Sequence, residues 1–356
     1  MVRLSRAQMQ EHNRAKVLTA ARDEFTERGF RDTRIDQIAE RAELTRGAVY
    51  SNFPSKRALY FAVLAQEADQ VPEPKYPPTA RTAADALGDF ARAWLARLPL
   101  TTDAQRSATR LGRDLLPEIV ADERISRPFA QLTGLTAILL GLSLEQLPSP
   151  KQATSRMVKA AEIVMTTLHG AGQLTAAAPG FGDPFAIVRA CEQLAELDLG
   201  DAWQPAHLPH ISPARPVDQP WTPPAATDAL RDEPAQLDRD GVLAVLGLHR
   251  LAAIEEALRA APPAAVVTAI LVTSNPGELG PLARLTITDL RNCLRAAVAP
   301  SAWPRLQIIH DESGVLAAAA GVSAISDATE TAVRTRAGRI IARADGFGAC
   351  HAAASA

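Results

Sequence analysis

Ile35-Asp36-Gln37-Ile38-Ala39-Glu40-Arg41-Ala42-Glu43-Leu44-Thr45-Arg46-Gly47-Ala48-Val49-Tyr50 is the stretch that decides the fold of the first sixty residues. Ile35, Ile38, Ala39 and Ala42 recur at helical spacing, which predicts a helix burying that face. Glu43-Leu44 breaks the pattern, and Thr45 is a residue type that caps the start of a helix, here Arg46 to Asn52. Two helices joined by so short a turn need a small residue where they touch and an aliphatic one on the second helix packing back. Ala39 and Val49 stand in those places. Thr45, Arg46 and Ser51 leave the outer face of the second helix polar.

Toward the N-terminus, Val17, Leu18, Ala21 and Phe25 predict a helix from about Asn13, ended by Gly29, and Thr33 reads as the N-cap of the next. Beyond Asn52, Pro54 and Ser55 start a fourth helix with Leu59, Ala62 and Val63 inside. Residues 1–60 carry twelve Lys/Arg against eight Asp/Glu, whereas residues 61–200 and 201–356 each carry thirteen against sixteen. The excess positive charge therefore sits with the helix pair, as a nucleic-acid site requires.

Ala20-Ala21, Phe25-Thr26-Glu27-Arg28-Gly29-Phe30, Thr33, Ile38-Ala39, Ala42, Thr45-Arg46-Gly47-Ala48-Val49-Tyr50, Asn52-Phe53, Ser55-Lys56 and Leu59 together resemble the TetR/AcrR family signature over about residues 14–62. The resemblance implies a helical homodimer that reads a pseudo-palindromic operator in double-stranded DNA and carries a ligand pocket in its C-terminal helices. It implies that Arg46 reaches base edges in the major groove. Thr33, Thr45, Tyr50 and Lys56 then anchor phosphates, with Ser51 and Asn52 on the same short helix. Gly47 lets that helix approach DNA closely. Glu43 stands where the family has a turn glycine of positive φ, a conformation that costs a non-glycine residue about 1 kcal/mol.

Val71–Pro78 holds four prolines and reads as a loop. Helical patterns follow at about 80–98, 103–125, 128–147, 151–177 and 183–199, predicting one all-helical ligand-sensing and dimerisation domain over 63–200. The resemblance implies a homodimer through residues 153–199, with Ala160, Ala161, Ile163, Val164, Leu168, Ile187, Leu194 and Leu197 as its apolar surface. Phe90, Trp94, Leu111, Leu115, Phe129 and Leu132, together with Leu139, are candidates to line a pocket for a small apolar or amphipathic ligand. His169 has no cysteine or carboxylate at metal spacing and reads as a packed or surface histidine.

Eight of residues 201–234 are proline, so 201–238 reads as an extended, semi-rigid linker. Residues 239–356 read as a separate small α/β module: a helix over Asp240–Ala261, a strand over Val266–Thr273, a helix over Leu282–Val298, a strand over Leu306–His310, a helix over Gly314–Ala320, and two strands about Ala337-Gly338. The element order resembles a thioredoxin-like fold, with Gly321 to Gly346 similar to the end of peroxiredoxin-type proteins. The position of the redox motif is Ser274-Asn275-Pro276-Gly277-Glu278, without cysteine, so the resemblance implies a catalytically dead module. The fold class is thus mainly α, with a TetR-like DNA-binding domain (1–62), the helical domain, the linker and the α/β module.

Cys191, Cys293 and Cys350 are far apart and odd in number, which disfavours a disulfide framework or a zinc site and fits a reducing cytosol. The polar N-terminus and apolar runs such as Ala264–Val272, too short for a bilayer, predict a cytoplasmic protein without membrane contact. No catalytic constellation, metal site or cofactor motif is found, so a non-enzymatic one-component regulator, a repressor, is expected. The alternative is a DNA-tethered thiol-redox protein or thiol sensor using the C-terminal module.

Overall fold

Each of the first four helices is set by a local signal. The computed structural model describes residues 5–98, 111–148, 156–178, 180–201 and 211–356. Helix α1 (Arg6–Asp32) begins seven residues before the expected start, because Ser5 and Gln8 form a reciprocal capping box; Gly29 (φ 80°) interrupts it as expected. α2 (Ile35–Arg41) and α3 (Arg46–Asn52) are joined by a turn in which Glu43 adopts φ 55°. Ile35, Ile38, Ala39 and Val49 are buried between them. Thr45 caps α3 and Ser55 caps α4 (Lys56–Asp69). Tyr60 holds α4 to α1, its ring 5.3 Å from Phe25 and 4.9 Å from Phe30.

The helical body continues with α5 (Ala83–Leu95), α6 (Leu115–Val120), α7 (Glu123–Leu144), α8 (Val158–Ala177) and α9 (Pro184–Leu194). α7 runs unbroken through Pro128, where a boundary was expected. It is also long and apolar enough to cross a membrane by length and composition, contrary to the sequence reading, but Leu132, Leu135 and Leu139 are buried in the protein core. The first part of the expected 103–125 helix, residues 151–155 before α8, and 202–210 of the expected linker lie outside the described residues.

The C-terminal part is a six-stranded mixed sheet of order β1-β8-β7-β4-β5-β6. β4 (Gly241–Gly247), β5 (Val266–Val272) and β6 (Leu306–His310) are parallel, joined through α10 (Ile254–Ala260) and α11 (Pro276–Ala297). α12 (Val315–Ala319) leads to the antiparallel β7 (Glu330–Arg336) and β8 (Arg339–Asp345), and α13 (Ala349–Ala354) closes the chain. β1 (Arg215–Pro220) pairs antiparallel with β8, and the short β2 (Thr227–Asp228) and β3 (Glu233–Pro234) pair with each other.

Two expectations are corrected here. Gly241–Gly247 is a strand, not the start of a helix: both its faces are buried, so its apolar run has no period to read. Residues 215–238 are not a linker but the sheet edge and a cover on one of its faces. Pro216 and Pro220 fit there because an edge strand leaves one side of its backbone unpaired.

The module is not held apart from the helical body. Val242, Ala244 and Leu246 of β4 share one apolar core with α10, α11, α13 and the helices of residues 1–200. The alternate residues Leu243 and Val245 face a second core with Trp221, Leu237 and Leu316. α11 lies along α4: Ser55 Oγ donates to the Glu278 carboxylate (2.7 and 2.9 Å), Thr288 Oγ1 donates to Asp69 (3.1 Å), and Asn292 Nδ2 donates to the Ala68 carbonyl (2.7 Å). These bonds set the two helices parallel. They also place Ser55, Ala58, Ala62, Ala65 and Asp69, spaced by three and four residues, on the α4 face toward α11. The three alanines are buried, and their small side chains let the helix axes approach. Arg97, after α5, pairs with Asp289 of α11 at 2.5 Å. The buried Arg156 joins Glu145, the C-cap of α7 (3.0 Å), to Glu255 of α10 (3.3 Å).

Candidate nucleic-acid interface

α3 is seven residues long and anchored by one aliphatic side chain, Val49. Everything else at its outer surface is free for a partner. Thr45, Arg46, Gly47, Tyr50 and Ser51 are exposed, with Tyr50 40% accessible. The Thr45 hydroxyl accepts from the Ala48 N–H (3.2 Å), so it is a cap as well as a surface group. Arg46 lies over the Tyr50 ring at 5.6 Å and 3.4 Å from Asp36. Tyr50 and then Asp36 hold its guanidinium above its ordinary pKa. Both contacts are at the surface, where water screens them, so Arg46 can leave them for a base edge or phosphate. A Cβ at Gly47 would meet only Thr45 Oγ1, at 3.8 Å. Among the described residues nothing therefore crowds that position, and the surface of α3 is open there.

Ser51 Oγ and Asn52 Nδ2 both donate to the Ala48 carbonyl (2.9 and 2.8 Å). The Asn52 carbonyl accepts from Arg14 Nη1 (3.2 Å), and the Arg14 guanidinium lies 4.4 Å from the centre of the Phe53 ring. α3 is thus clamped to α1 at its C-terminal end, which fixes the direction of its exposed face.

Two of the expected phosphate anchors, Thr33 and Lys56, bond backbone carbonyls within the chain. Thr33 is 1% exposed, and its hydroxyl donates to the Glu24 (3.1 Å) and Gly29 (2.7 Å) carbonyls at the end of α1. Lys56 Nζ donates to the Thr33 (2.7 Å) and Arg31 (3.3 Å) carbonyls and lies 4.4 Å from the Phe30 ring centre. Burial lowers its pKa. Both satisfy carbonyls left open where Gly29 ends the regular helix. The N-cap of α2 is Arg34, whose N–H donates to Gln37 Oε1 (2.8 Å) and which is exposed. The sequence reading passed over Arg34. Its signal was its place immediately before Ile35, hidden by the better capping residue Thr33.

In the helical body, Phe90 stacks on Trp94 (6.4 Å), and His169 lies edge-on to Trp94 (4.8 Å) and Phe129 (5.9 Å). Burial, with Arg97 nearby, lowers the His169 pKa to about 4. Leu111 and Leu132 are buried and Leu115 is half-buried in the same core. On α8, Ala160, Ala161, Val164 and Leu168 face inward, so they are core rather than interface. Among the described residues between 158 and 201, the exposed large apolar side chains are Ile163, Leu174, Phe181, Phe185 and Leu197.

Residues 17–63 match the family model described as bacterial regulatory proteins, tetR family. Over 53 residues the chain is 49% identical to the HTH-type transcriptional regulator RutR of Escherichia coli (strain K12), covering 15% of this chain and 25% of the relative. It is 36% identical over 61 residues to the HTH-type transcriptional activator FasR of Mycolicibacterium smegmatis, covering 17% and 28%. The chain thus spans about a quarter of the length of the curated relatives it matches. Among solved structures it is similar to NalD, the secondary repressor of the MexAB-OprM efflux pump in Pseudomonas aeruginosa, at a TM-score of 0.34 and 22% identity over 52% of this chain and 94% of that one.

Proposed function

With residues 17–63 a tetR-family domain, we propose that the chain is a transcriptional regulator that binds operator DNA as a homodimer, acts as a repressor, and releases DNA when a small molecule binds. The observation that carries this reading is α3: a short helix anchored by Val49, clamped by Arg14, and presenting Thr45, Arg46, Gly47, Tyr50 and Ser51 outward. A single helix of this length covers one half-site, so tight binding requires two copies about one DNA turn apart. Arg46 reads base edges, and Thr45, Tyr50 and Arg34 contact phosphates. The dimer face is formed by the exposed apolar side chains Ile163, Leu174, Phe181, Phe185 and Leu197. Action on chromosomal DNA places the protein in the cytoplasm.

The rival reading, a thioredoxin-like module working as a thiol-redox protein or thiol sensor, is disfavoured by the thiols themselves. Cys191, Cys293 and Cys350 are all buried. Burial raises the first two to about 11 and Cys350 well above its ordinary value, whereas a reactive thiol needs the opposite shift.

Sedimentation of the full chain with a labelled mixture of genomic fragments tests the proposal. The expected result is a dimer at micromolar concentration that retains DNA with a steep salt dependence. A monomer in both the free and the DNA-bound state contradicts it.

A further inference from the structure

A groove of about 510 Å³ opens where the C-terminal end of α4 meets α11, the 224–232 segment and the β6–α12 turn. It lies away from the aromatic cluster of the helical body and within the size range of small-molecule sites. α11 presents Arg284, Thr288 and Arg291 to it, at positions i, i+4 and i+7 of one helix face. Pro224, Ile309 and Leu316 supply an apolar wall.

The ion pairs in this groove are lopsided. The Arg291 side chain is 7% exposed, yet its partners Asp69 (2.9 Å) and Asp232 (3.5 Å) are 53% and 60% exposed. Arg284 is likewise paired with Glu312, a carboxylate at the surface. Arg291 Nη1 also donates to the Ala229 carbonyl (3.4 Å), and only its Nε is buried with no hydrogen-bond partner among the described residues. A guanidinium offers a carboxylate two parallel N–H donors, and here that fork is incompletely used. The protein's own exposed carboxylates stand where an incoming one would bind. The groove's remaining buried acid, Asp311, is already engaged by the Ala317 N–H (2.7 Å) and by Ser313 Oγ (3.4 Å), so it offers little to a cation.

We propose that this groove binds a small amphipathic carboxylate, its anionic end taken by Arg291 and Arg284 and its apolar part resting on Ile309, Leu316 and Pro224. Asp69 is the last residue of α4, whose first turn follows α3 directly. A ligand that takes Arg291 from Asp69 loosens one end of the α4–α11 contact. This second step rests on the regulator reading; the binding step does not.

Octanoate is the probe, titrated calorimetrically into the full chain, with octylamine and octanol as controls. Octanoate is expected to bind about tenfold or more tighter than either control, since one charge-assisted fork separates them. Asp69→Asn keeps an exposed side chain able to bond Thr288 but removes the competing anion, and is expected to tighten octanoate about threefold. Arg291→Met is expected to weaken it about tenfold or more. The inference is overturned if octanoate does not bind, if octylamine or octanol binds as well, or if Asp69→Asn leaves affinity unchanged or weaker. The readout uses no DNA, so a failure here is distinct from a failure of the regulator reading, which shows as a ligand-free chain that retains no DNA.

Discussion

Ala62 lies in the middle of the stripe that α4 turns toward α11, 5% exposed, between Ala58 and Ala65. Leucine in its place adds three carbon atoms to a seam pinned at both ends by Ser55–Glu278 and Asp69–Thr288, so the helices cannot simply part. Overpacking of this kind costs about 1–3 kcal/mol. The same change at Ala15, exposed on α1, stays within about 0.5 kcal/mol. Urea unfolding of the full chain followed by circular dichroism measures the difference as a shift in midpoint at constant slope. A thermal melt registers it as about 2–4 °C per kcal/mol for a unit of 150–250 residues, and somewhat less here. If Ala62→Leu and Ala15→Leu unfold at the same midpoint, the parallel α4–α11 seam is wrong, and with it the link between the sheet module and the N-terminal helices.

A fragment ending at Asp201 bares that stripe and unpairs Arg97 from Asp289; it is expected to aggregate or melt well below the full chain in light scattering and calorimetry, and an equally stable, monodisperse fragment would show the module to be dispensable. His169 and His310, both lowered to about 4 by burial, are neutral in the folded chain and titrate near 6.5 when unfolded. Their stabilisation is therefore complete above pH 6.5 and falls as pH drops toward 4, by about 2 kcal/mol each at pH 5. His169→Phe is expected to flatten that slope between pH 7 and 5, and an unchanged slope would contradict the neutral assignment. Lys56→Ala removes a donor to two carbonyls at the end of α1 and is expected to cost about 1–2 kcal/mol while leaving the salt slope of DNA binding unchanged; a slope lower by about one would return Lys56 to the phosphate.

The helix-turn-helix end was legible because its signals are local. Caps, a turn and one helical face determine α2 and α3, and Glu43 does take the positive φ that its place in the turn requires. Thr33 and Lys56 are ambiguous in sequence because the same residue types serve a helix end and a phosphate equally well, and in the fold both bond carbonyls at the end of α1. β4 was taken for helix because a strand buried on both faces carries no period, and β1 was hidden by the prolines that an edge strand tolerates. The alanines at 58, 62 and 65 stand at helical spacing, of which the sequence reading took only Ala62, as an inner residue beside Leu59 and Val63. Their partner begins at Pro276, more than two hundred residues away, and no local pattern connects them. The interface residues expected on α8 fared alike: helical spacing marks a buried face but does not say whether the cover comes from the same chain or from another.

The most direct test is to sequence the genomic fragments retained by the purified wild-type chain and by Arg46→Ala. The account predicts that wild type enriches a two-fold-symmetric pattern with half-sites about one helical turn apart, and that Arg46→Ala relaxes it at one base per half-site, a loss of about 1–3 kcal/mol of discrimination. Retention of DNA with no enriched pattern, or an identical pattern from both proteins, would contradict it.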